Sequence, residues 1–262
     1  MDSRPIGIFD SGIGGTSIWK EIQALLPQEN ILYLADSSNA PYGEKSKEEI
    51  RALSIKNTEY LLAQDCKLVV VACNTATTNA IAYLRENYKV PFIGIEPAIK
   101  PAALHSTSKI IGVLATKGTL SSSLFHTTAE NYADEIQIIE RVGKGLVPLI
   151  EKGELQGNRI KKLLQTYLDP MIEAGIDYLV LGCTHYPYLI PLLKEVLPPK
   201  VKIIDSGEAV ARQTKAILEK KHLLNTSNTV GKHLFCTNVD KQVLEQMVQK
   251  CDAPISVERL NF

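Results

Sequence analysis

The segment LVVVACNTATTNAI (residues 68–81) predicts the kind of fold and raises the question of function. Its apolar run LVVVA is typical of a strand that is buried on both faces, as in a parallel sheet. The run ends in Cys73, where such a strand reaches the edge of its sheet. A second segment, YLVLGCTHYPYLIPLL (178–193), repeats the arrangement with Cys183. Two strands that each deliver a cysteine to a sheet edge need a common explanation.

Short apolar and β-branched runs alternate with amphipathic stretches along the whole chain. This alternation favours an α/β fold, with mostly parallel sheets covered by helices on both faces. The predicted strands are IGIFD (6–10), ILYLAD (31–36), LVVVAC (68–73), FIGI (92–95), KIIGVLAT (109–116), IQIIER (136–141), YLVLGC (178–183), VKIID (201–205), KHLFCT (232–237) and ISVERL (255–260).

Two of the predicted helices have clear sequence signals. Ser46 and Glu49 have the spacing of a capping box, which predicts a helix that continues to about Gln64. Pro187 is suited to the first turn of a helix through LIPLLKEVL, in which Pro191 is predicted to be an interior residue that produces a kink.

The first four predicted strands have counterparts in the second half, at offsets of 103 to 110 residues. Corresponding strands also end alike, since ACNTATTNA follows one third strand and GCTHYP the other. We therefore predict two similar lobes, residues 1–97 plus 208–262 and residues 98–207. Ligands bind outside the carboxyl ends of strands in open parallel sheets, so Cys73 and Cys183 would face each other across one cleft.

The composition excludes several classes of protein. With 45% hydrophobic and 22% charged residues, the 262-residue chain has ordinary globular values. The 29 Lys and Arg residues balance 29 Asp and Glu residues, so nucleic acid and membrane surfaces are not expected partners. No signal peptide and no membrane-spanning run is recognised, which predicts a cytoplasmic protein. The five cysteines form no CxxC pair and are expected to be free thiols in a reducing compartment.

Several chemistries compete for the two strand-end cysteines. A single buried cysteine is often only a small apolar residue, but two at equivalent positions weaken that interpretation. Cys73, Cys183 and His185 could bind structural zinc, but the ligands of such sites usually occur in pairs that are close in sequence, and these two cysteines are far apart. A disulfide between them is disfavoured in a reducing compartment. A Cys–His nucleophile would leave Cys73 without a role. Two facing thiols suit removal of a proton from one face of a carbon and its return to the other face, which inverts a stereocentre.

Further polar residues follow the predicted strands. The motif FDSGIGG contains Asp10, Ser11 and three glycines, which we expect to let backbone amides approach a ligand at a helix start. It lacks the third glycine of a dinucleotide fingerprint and the GK[ST] of a P-loop, so a carboxylate or ammonium ligand fits better. The motif APYGEKS predicts a turn that contains Tyr42 and Gly43. This turn is either an ordinary connection to the next helix or a loop that contacts a small ligand.

Three ionisable residues complete the candidate set. His185, two residues after Cys183, is placed to hold or exchange a proton with that thiol, as Asp10 is on the opposite side. Glu151 in LVPLIEKGE cannot be placed by periodicity, and a solvated helix charge is its default interpretation.

The motifs FDSGIGG, APYGEKS, ACNTATTNA, LVPLIEKGE and GCTHYP, in this order and spacing, resemble those of glutamate racemases, the cofactor-independent enzymes that supply D-glutamate for bacterial peptidoglycan. The resemblance spans nearly the whole chain. It implies two pseudo-twofold related α/β/α lobes with the active site between them, no metal and no pyridoxal phosphate. An aspartate racemase on the same scaffold and a non-catalytic receptor for a small acid stay open as alternatives.

The resemblance also implies a role for each candidate. Cys73 is similar to the thiol that deprotonates the D-isomer, and Cys183 to the one that acts on the L-isomer. Asp10 and His185 resemble the groups that assist these thiols, and Glu151 a further catalytic acid. The substrate-binding positions are Asp10, Ser11, Tyr42, Gly43, Asn74, Thr75, Thr184 and His185. The implied partner is L- or D-glutamate, and the family leaves room for a homodimer.

Overall fold

The computed structural model describes residues 1–132, 134–249, 251 and 253–262. Within these residues all ten predicted strands are present, with ends shifted by at most two residues. They are β1 (Ile6–Asp10), β2 (Ile31–Ala35), β3 (Leu68–Val71), β4 (Phe92–Gly94), β5 (Ile110–Ala115), β6 (Gln137–Val142), β7 (Tyr178–Gly182), β8 (Lys202–Ile204), β9 (His233–Thr237) and β10 (Ile255–Arg259).

The strands form two parallel sheets, which confirms the predicted α/β fold. The larger sheet has the order β10-β9-β2-β1-β3-β4 and the smaller the order β6-β5-β7-β8. The order β2-β1-β3-β4 recurs as β6-β5-β7-β8, so each strand of the first set occupies the same place as its predicted counterpart. Strands β9 and β10 extend the larger sheet from the C-terminal segment. The division into lobes at residues 97 and 207 stays a prediction.

The helices begin and end where the local sequence allows. They are α1 (Thr16–Leu25), α2 (Lys47–Ala63), α3 (Asn74–Asn87), α4 (Ile99–His105), α5 (Lys117–Leu120), α6 (Ser123–Glu130), α7 (Leu146–Glu151), α8 (Asn158–Glu173), α9 (Ile190–Val196), α10 (Gly207–Lys220) and α11 (Gln242–Val248), with 3-10 turns at Ser37–Asn39, Tyr42–Glu44 and Tyr186–Leu189. The predicted capping box is present on α2, because Ser46 Oγ accepts from the Glu49 N–H and Glu49 Oε2 accepts from the Ser46 N–H. Among the described helices, none is both long enough and apolar enough to cross a bilayer.

The predicted kinked helix after Cys183 is wrong. The chain instead makes a 3-10 turn over Tyr186–Leu189 and then begins α9 at Ile190. Pro191 lies in the first turn of α9, where a residue needs no N–H donor for an intrahelical bond. Each proline therefore starts a short helical segment, and neither interrupts a long one.

The core explains why the strand sequences are continuously apolar. Alternate residues of β3 pack into different clusters, Leu68 and Val70 into one and Val69 and Val71 into another. Both faces of the strand are therefore buried, as parallel sheets require. The cluster that contains Leu68 also takes residues from β7, such as Leu181, so one apolar core joins the two sheets.

Candidate active site

A small cavity, of about 10 Å³, lies at the carboxyl ends of strands from both sheets. Nine of the predicted site residues line it. The lining consists of Ser11, Pro41, Tyr42, Gly43, Cys73, Asn74, Thr75, Thr116, Val147, Cys183, Thr184 and His185. The two sulfur-bearing residues, from β3 and β7, thus share one cavity. Asp10 and Glu151 stand behind this lining and contact it.

Cys73 lies at the start of α3, immediately after β3. Its Sγ accepts a hydrogen bond from the Ala76 N–H at 3.5 Å and lies 3.8 Å from Ser11 Oγ. Burial raises the pKa of this thiol well above its ordinary value, and the negative charge of Asp10 raises it further. The helix N-terminus acts in the opposite direction, because its N–H groups stabilise a thiolate. Cys73 is therefore held as a thiol, with a thiolate-stabilising group already in place.

Asp10 is fully buried at the end of β1. Its Oδ2 accepts from the N–H groups of Gly12 at 3.2 Å and Gly15 at 2.9 Å, and its Oδ1 accepts from Thr184 Oγ1 at 3.3 Å. Burial raises the pKa of this carboxyl, whereas the nearby charge of His185 lowers it. Asp10 thus links the loop after β1 to the loop after β7, which begins with Cys183.

Cys183 has a different neighbour, the imidazole of His185. Its Sγ lies 3.7 Å from His185 Nδ1, and the other ring nitrogen, Nε2, lies 2.5 Å from Glu151 Oε1. Burial lowers the pKa of His185, but hydrogen bonds to Cys183 and Glu151 outweigh it and raise the pKa well above the ordinary value. His185 is therefore an imidazolium near neutral pH, and a cation at this distance stabilises negative charge on sulfur.

The default interpretation of Glu151 as a solvated helix charge is wrong. Its side chain is only 15% exposed and accepts from the Ile13 N–H at 2.7 Å and from Ser37 Oγ at 2.9 Å, in addition to His185. These partners follow β1, β2 and β7, so the carboxylate at the end of α7 connects three separate loops. No local pattern in the sequence indicates such a position.

The glycines of FDSGIGG allow two side chains of the protein to approach the loop, and their predicted role towards a ligand stays a prediction. A side chain at Gly12 would overlap the Glu151 carboxylate, and a Cβ at Gly14 would stand 2.3 Å from His185 Nδ1. The backbone amides of this loop are bound to Asp10 and Glu151, two carboxylates of the protein itself. The glycines therefore allow Glu151 and His185 to approach the loop closely.

Asp36 is a functional candidate that the sequence analysis missed. It is fully buried after β2, and its carboxylate accepts from the cavity-lining Tyr42 OH at 2.5 Å. Asn39 and Asn238 donate to the same carboxylate. Burial and the charge of Asp36 raise the pKa of Tyr42 well above its ordinary value. The sequence does contain a signal for this residue, because ILYLAD (31–36) ends in aspartate just as IGIFD (6–10) ends in Asp10.

Thr116 is a second missed residue, at the end of β5. Its hydroxyl lies 2.8 Å from Thr75 Oγ1 and 3.0 Å from Thr119 Oγ1, and Thr75 and Thr119 are 3.3 Å apart. Three hydroxyls therefore meet at the cavity, two of them on its lining. The sequence does contain a signal for this position, because VLATKGTLS (113–121) ends β5 in the same way as IFDSG (8–12) ends β1.

The side-chain amide of Asn74 lines the cavity and has an unused hydrogen-bond acceptor. Its Nδ2 donates to the Ile95 carbonyl at 3.5 Å, and its Oδ1 is buried with no hydrogen-bond partner among the described residues. A buried amide oxygen without a donor is costly, so a ligand that carries N–H groups would stabilise this site.

The cavity combines two sulfurs in one enclosure with opposite electrostatic neighbours. All five cysteines of the chain are free thiols, as predicted, and only Cys73 and Cys183 line this cavity. A thiol beside a carboxylate and a sulfur beside an imidazolium form an acid and a base, each suited to proton transfer with a carbon placed between them.

Comparison with known proteins gives a consistent result. A family model described as Asp/Glu/hydantoin racemase matches residues 14–214. The glutamate racemase of Cupriavidus pinatubonensis is 47% identical over 247 residues, which cover 94% of this chain and 91% of the relative. That of Ectopseudomonas mendocina is 50% identical over 227 residues, 86% of each chain. The crystal structure of Escherichia coli glutamate racemase in complex with L-glutamate and the activator UDP-MurNAc-Ala has a TM-score of 0.86 to this chain, at 34% identity and 98% coverage of both.

Proposed function

Because the chain belongs to the glutamate racemases of the Asp/Glu/hydantoin racemase family, we propose that Cys73 and Cys183 interconvert L-glutamate and D-glutamate by proton transfer at opposite faces of Cα. The chain is an amino-acid racemase, and its substrate is a small molecule. The observation that supports the roles of the two thiols is that both line one cavity, each with its own ionisable neighbour.

In the direction from L- to D-glutamate, Cys183 is the base and Cys73 the acid. The Cys183 thiolate, stabilised by the His185 imidazolium, removes the Cα proton. The Cys73 thiol, whose pKa is raised by burial and by Asp10, then gives its proton to the opposite face. One S–H bond forms and one breaks, so the pair ends in the reverse protonation state, which suits the opposite direction. The pairing of Cys183 with the L-isomer follows from the family resemblance.

A proton next to an ionised carboxylate is weakly acidic, so the site must stabilise negative charge that develops there. The N-terminus of α3 begins at Asn74, inside the cavity, and presents backbone N–H groups that are suited to a carboxylate. The unpartnered Asn74 Oδ1 is an acceptor for the substrate ammonium. Ser11, Thr75 and Thr184 add hydroxyl groups for the remaining carboxylate oxygens.

The enclosed cavity requires motion for substrate binding. We propose that the lobes, residues 1–97 plus 208–262 and residues 98–207, open and close around it. Contacts to be broken on opening include Ser17 Oγ to the Thr184 carbonyl and Ser37 Oγ to Glu151. Closure excludes water from the developing charge. Small-angle scattering with and without glutamate tests this, and identical profiles at saturation would rule it out.

The roles of the thiols are tested by racemisation assays, followed by circular dichroism, on L- and D-glutamate and on L-aspartate. We expect wild-type turnover of both glutamate isomers and loss of turnover by about 10³-fold in Cys73→Ser and Cys183→Ser, because serine is a far weaker acid and base. Cys66→Ser is the matched control, since Cys66 is buried but lies outside the cavity. Near-wild-type turnover in either cavity variant would contradict the proposal, and binding without any wild-type turnover would favour the receptor alternative.

The remaining features of the proposal concern the setting of the enzyme. We propose that it acts in the cytoplasm, where its five free thiols stay reduced, and that it supplies D-glutamate for peptidoglycan. Nucleic acid and anionic membranes are not proposed as partners, because the chain carries no net positive charge. A homodimer is the proposed assembly, and light scattering of the purified protein tests it.

A further inference from the structure

A second and larger cavity, of about 250 Å³, adjoins the active-site cavity. The two share Pro41, Gly43, Thr116 and Val147 as lining residues. Gly43 and Thr116 are in tight contact at this neck, since a Cβ on Gly43 would lie 2.6 Å from Thr116 Cβ. The outer cavity thus leads to the neck formed by Gly43 and Thr116, which separates it from the small inner cavity.

The outer cavity carries exposed charges that the mechanism does not use. Lys117 and Lys144 line it together with Glu44, and all three side chains are exposed. Neither lysine ammonium has an ion-pair or hydrogen-bond partner in the described part of the chain. The wall between them is formed largely by small or apolar residues, such as Gly145 and Pro148. The charged groups of this cavity therefore sum to one net positive charge.

We propose that this outer cavity is the entrance to the active site, and that Lys117 and Lys144 capture the anionic substrate there. The inference rests on the proposed function, because glutamate carries two carboxylates and one ammonium and is a net anion near neutral pH. A chain with no net charge has no overall attraction for such a substrate, so a local excess of positive charge must supply it.

Capture at the entrance has kinetic consequences that differ from those of a catalytic group. The lysines line the outer cavity and not the inner one, so they do not reach the reacting carbon. Their removal should raise KM and leave kcat unchanged. L- and D-glutamate have the same charge, so both KM values should rise by the same factor. The effect should disappear in about 1 M salt, where the Debye length is about 3 Å.

The test is a series of variants that changes the charge of the entrance in single steps. Glu44→Gln raises the net charge of the entrance by one. Lys117→Gln or Lys144→Gln lowers that charge by one, and the variant with both lysine substitutions lowers it by two. At low ionic strength we expect KM to change about twofold to threefold for each charge, in that order. The control is the double variant Lys89→Gln/Lys200→Gln, which changes net charge equally. Both of those lysines are exposed and precede β4 and β8, at the opposite ends of the sheets.

Each outcome decides the inference. The inference is supported if KM rises as the entrance loses positive charge, if this change is absent in high salt, and if the control variant has the KM of the wild type. Unchanged KM in the lysine variants, a salt-insensitive change, an equal shift in the control or a fall in kcat overturns it. Failure of the proposed function is distinguishable, because it would appear as no racemisation by the wild-type protein or as full activity of the Cys73 and Cys183 variants.

Discussion

The two walls of the active-site cavity hold the same reactive atom in opposite surroundings. Burial raises the pKa of the Cys73 thiol, and the neighbouring carboxylate of Asp10 raises it further. Cys183 lies beside His185, whose own pKa is raised by its bonds to Cys183 and Glu151. The strand order β2-β1-β3-β4 is nevertheless the same as β6-β5-β7-β8. A repeated fold therefore supplies two equivalent sulfur positions, and the neighbouring charges are the basis on which we propose one as the acid and the other as the base.

The largest expected effect of breaking this asymmetry comes from His185→Gln. Glutamine keeps a polar group beside Cys183 but cannot carry the positive charge, so the thiolate loses its counter-ion. We expect kcat with L-glutamate to fall by about 10²- to 10³-fold. The equilibrium constant of a racemisation is one, so kcat/KM must fall equally in both directions. Initial rates with each isomer measure this, and a kcat within threefold of wild type would contradict the assigned role.

Asp10→Asn tests the opposite wall. Removal of the negative charge lowers the pKa of the Cys73 thiol towards its ordinary value, because that charge is one cause of its elevation. Cys73 must be protonated when L-glutamate is the substrate, so the alkaline decline in kcat should begin at lower pH. We expect about a tenfold loss on that limb. An alkaline limb that stays in place or moves to higher pH would show that Asp10 does not act on Cys73.

Glu151→Gln is expected to lower activity at alkaline pH as well, but by less, and it acts on the wall that carries Cys183 and His185. The amide oxygen can still accept from the Ile13 N–H, and the amide NH₂ takes the place of the oxygen that accepts from Ser37 Oγ, to which it can donate instead. The charge that helps raise the pKa of His185 is lost. His185 then loses its proton at lower pH, and the alkaline limb moves down. We expect about a threefold to tenfold loss near neutral pH and little change in acid. Glu154→Gln, in the loop after α7, is the control because its half-buried side chain contacts Arg159 and not His185, and an equal loss in that variant would contradict this role.

The smallest effect is expected from Tyr42→Phe, which alters the support of the Cys73 wall. Loss of the hydroxyl removes a 2.5 Å hydrogen bond to the buried Asp36 carboxylate and leaves Asn57 Nδ2 without this acceptor. We expect the free energy of unfolding to fall by about 1–3 kcal/mol. Urea denaturation measures it. Tyr88→Phe, whose hydroxyl bonds the exposed Glu59, is the matched control and should change stability by less than half as much.

The sequence could predict those parts of the site that depend on strand ends. Cys73 and Cys183 each end a continuously apolar run, and the carboxyl edge of a parallel sheet is where such runs bring polar residues together. The capping box of Ser46 and Glu49 was equally local, and it is present at the predicted position.

Features that depend on contacts between distant segments could not be predicted. Glu151 bonds Ile13, which is 138 residues away in sequence, and no periodicity reports such a contact. The sequence also gives no sign that Gly12 and Gly14 make room for the side chains of Glu151 and His185. Pro191 was assigned to a helix interior because the preceding 3-10 turn has no distinct sequence signal.

Racemisation in D₂O shows whether two thiols act on opposite faces of one carbon. We expect the first D-glutamate formed from L-glutamate to carry deuterium at Cα, while the unreacted L-glutamate keeps its protium, because the proton delivered by Cys73 comes from solvent. Mass spectrometry of the separated isomers at low conversion measures both. Product that retains the substrate's own hydrogen, or substrate that is deuterated as fast as product forms, would mean that a single group removes and returns the proton.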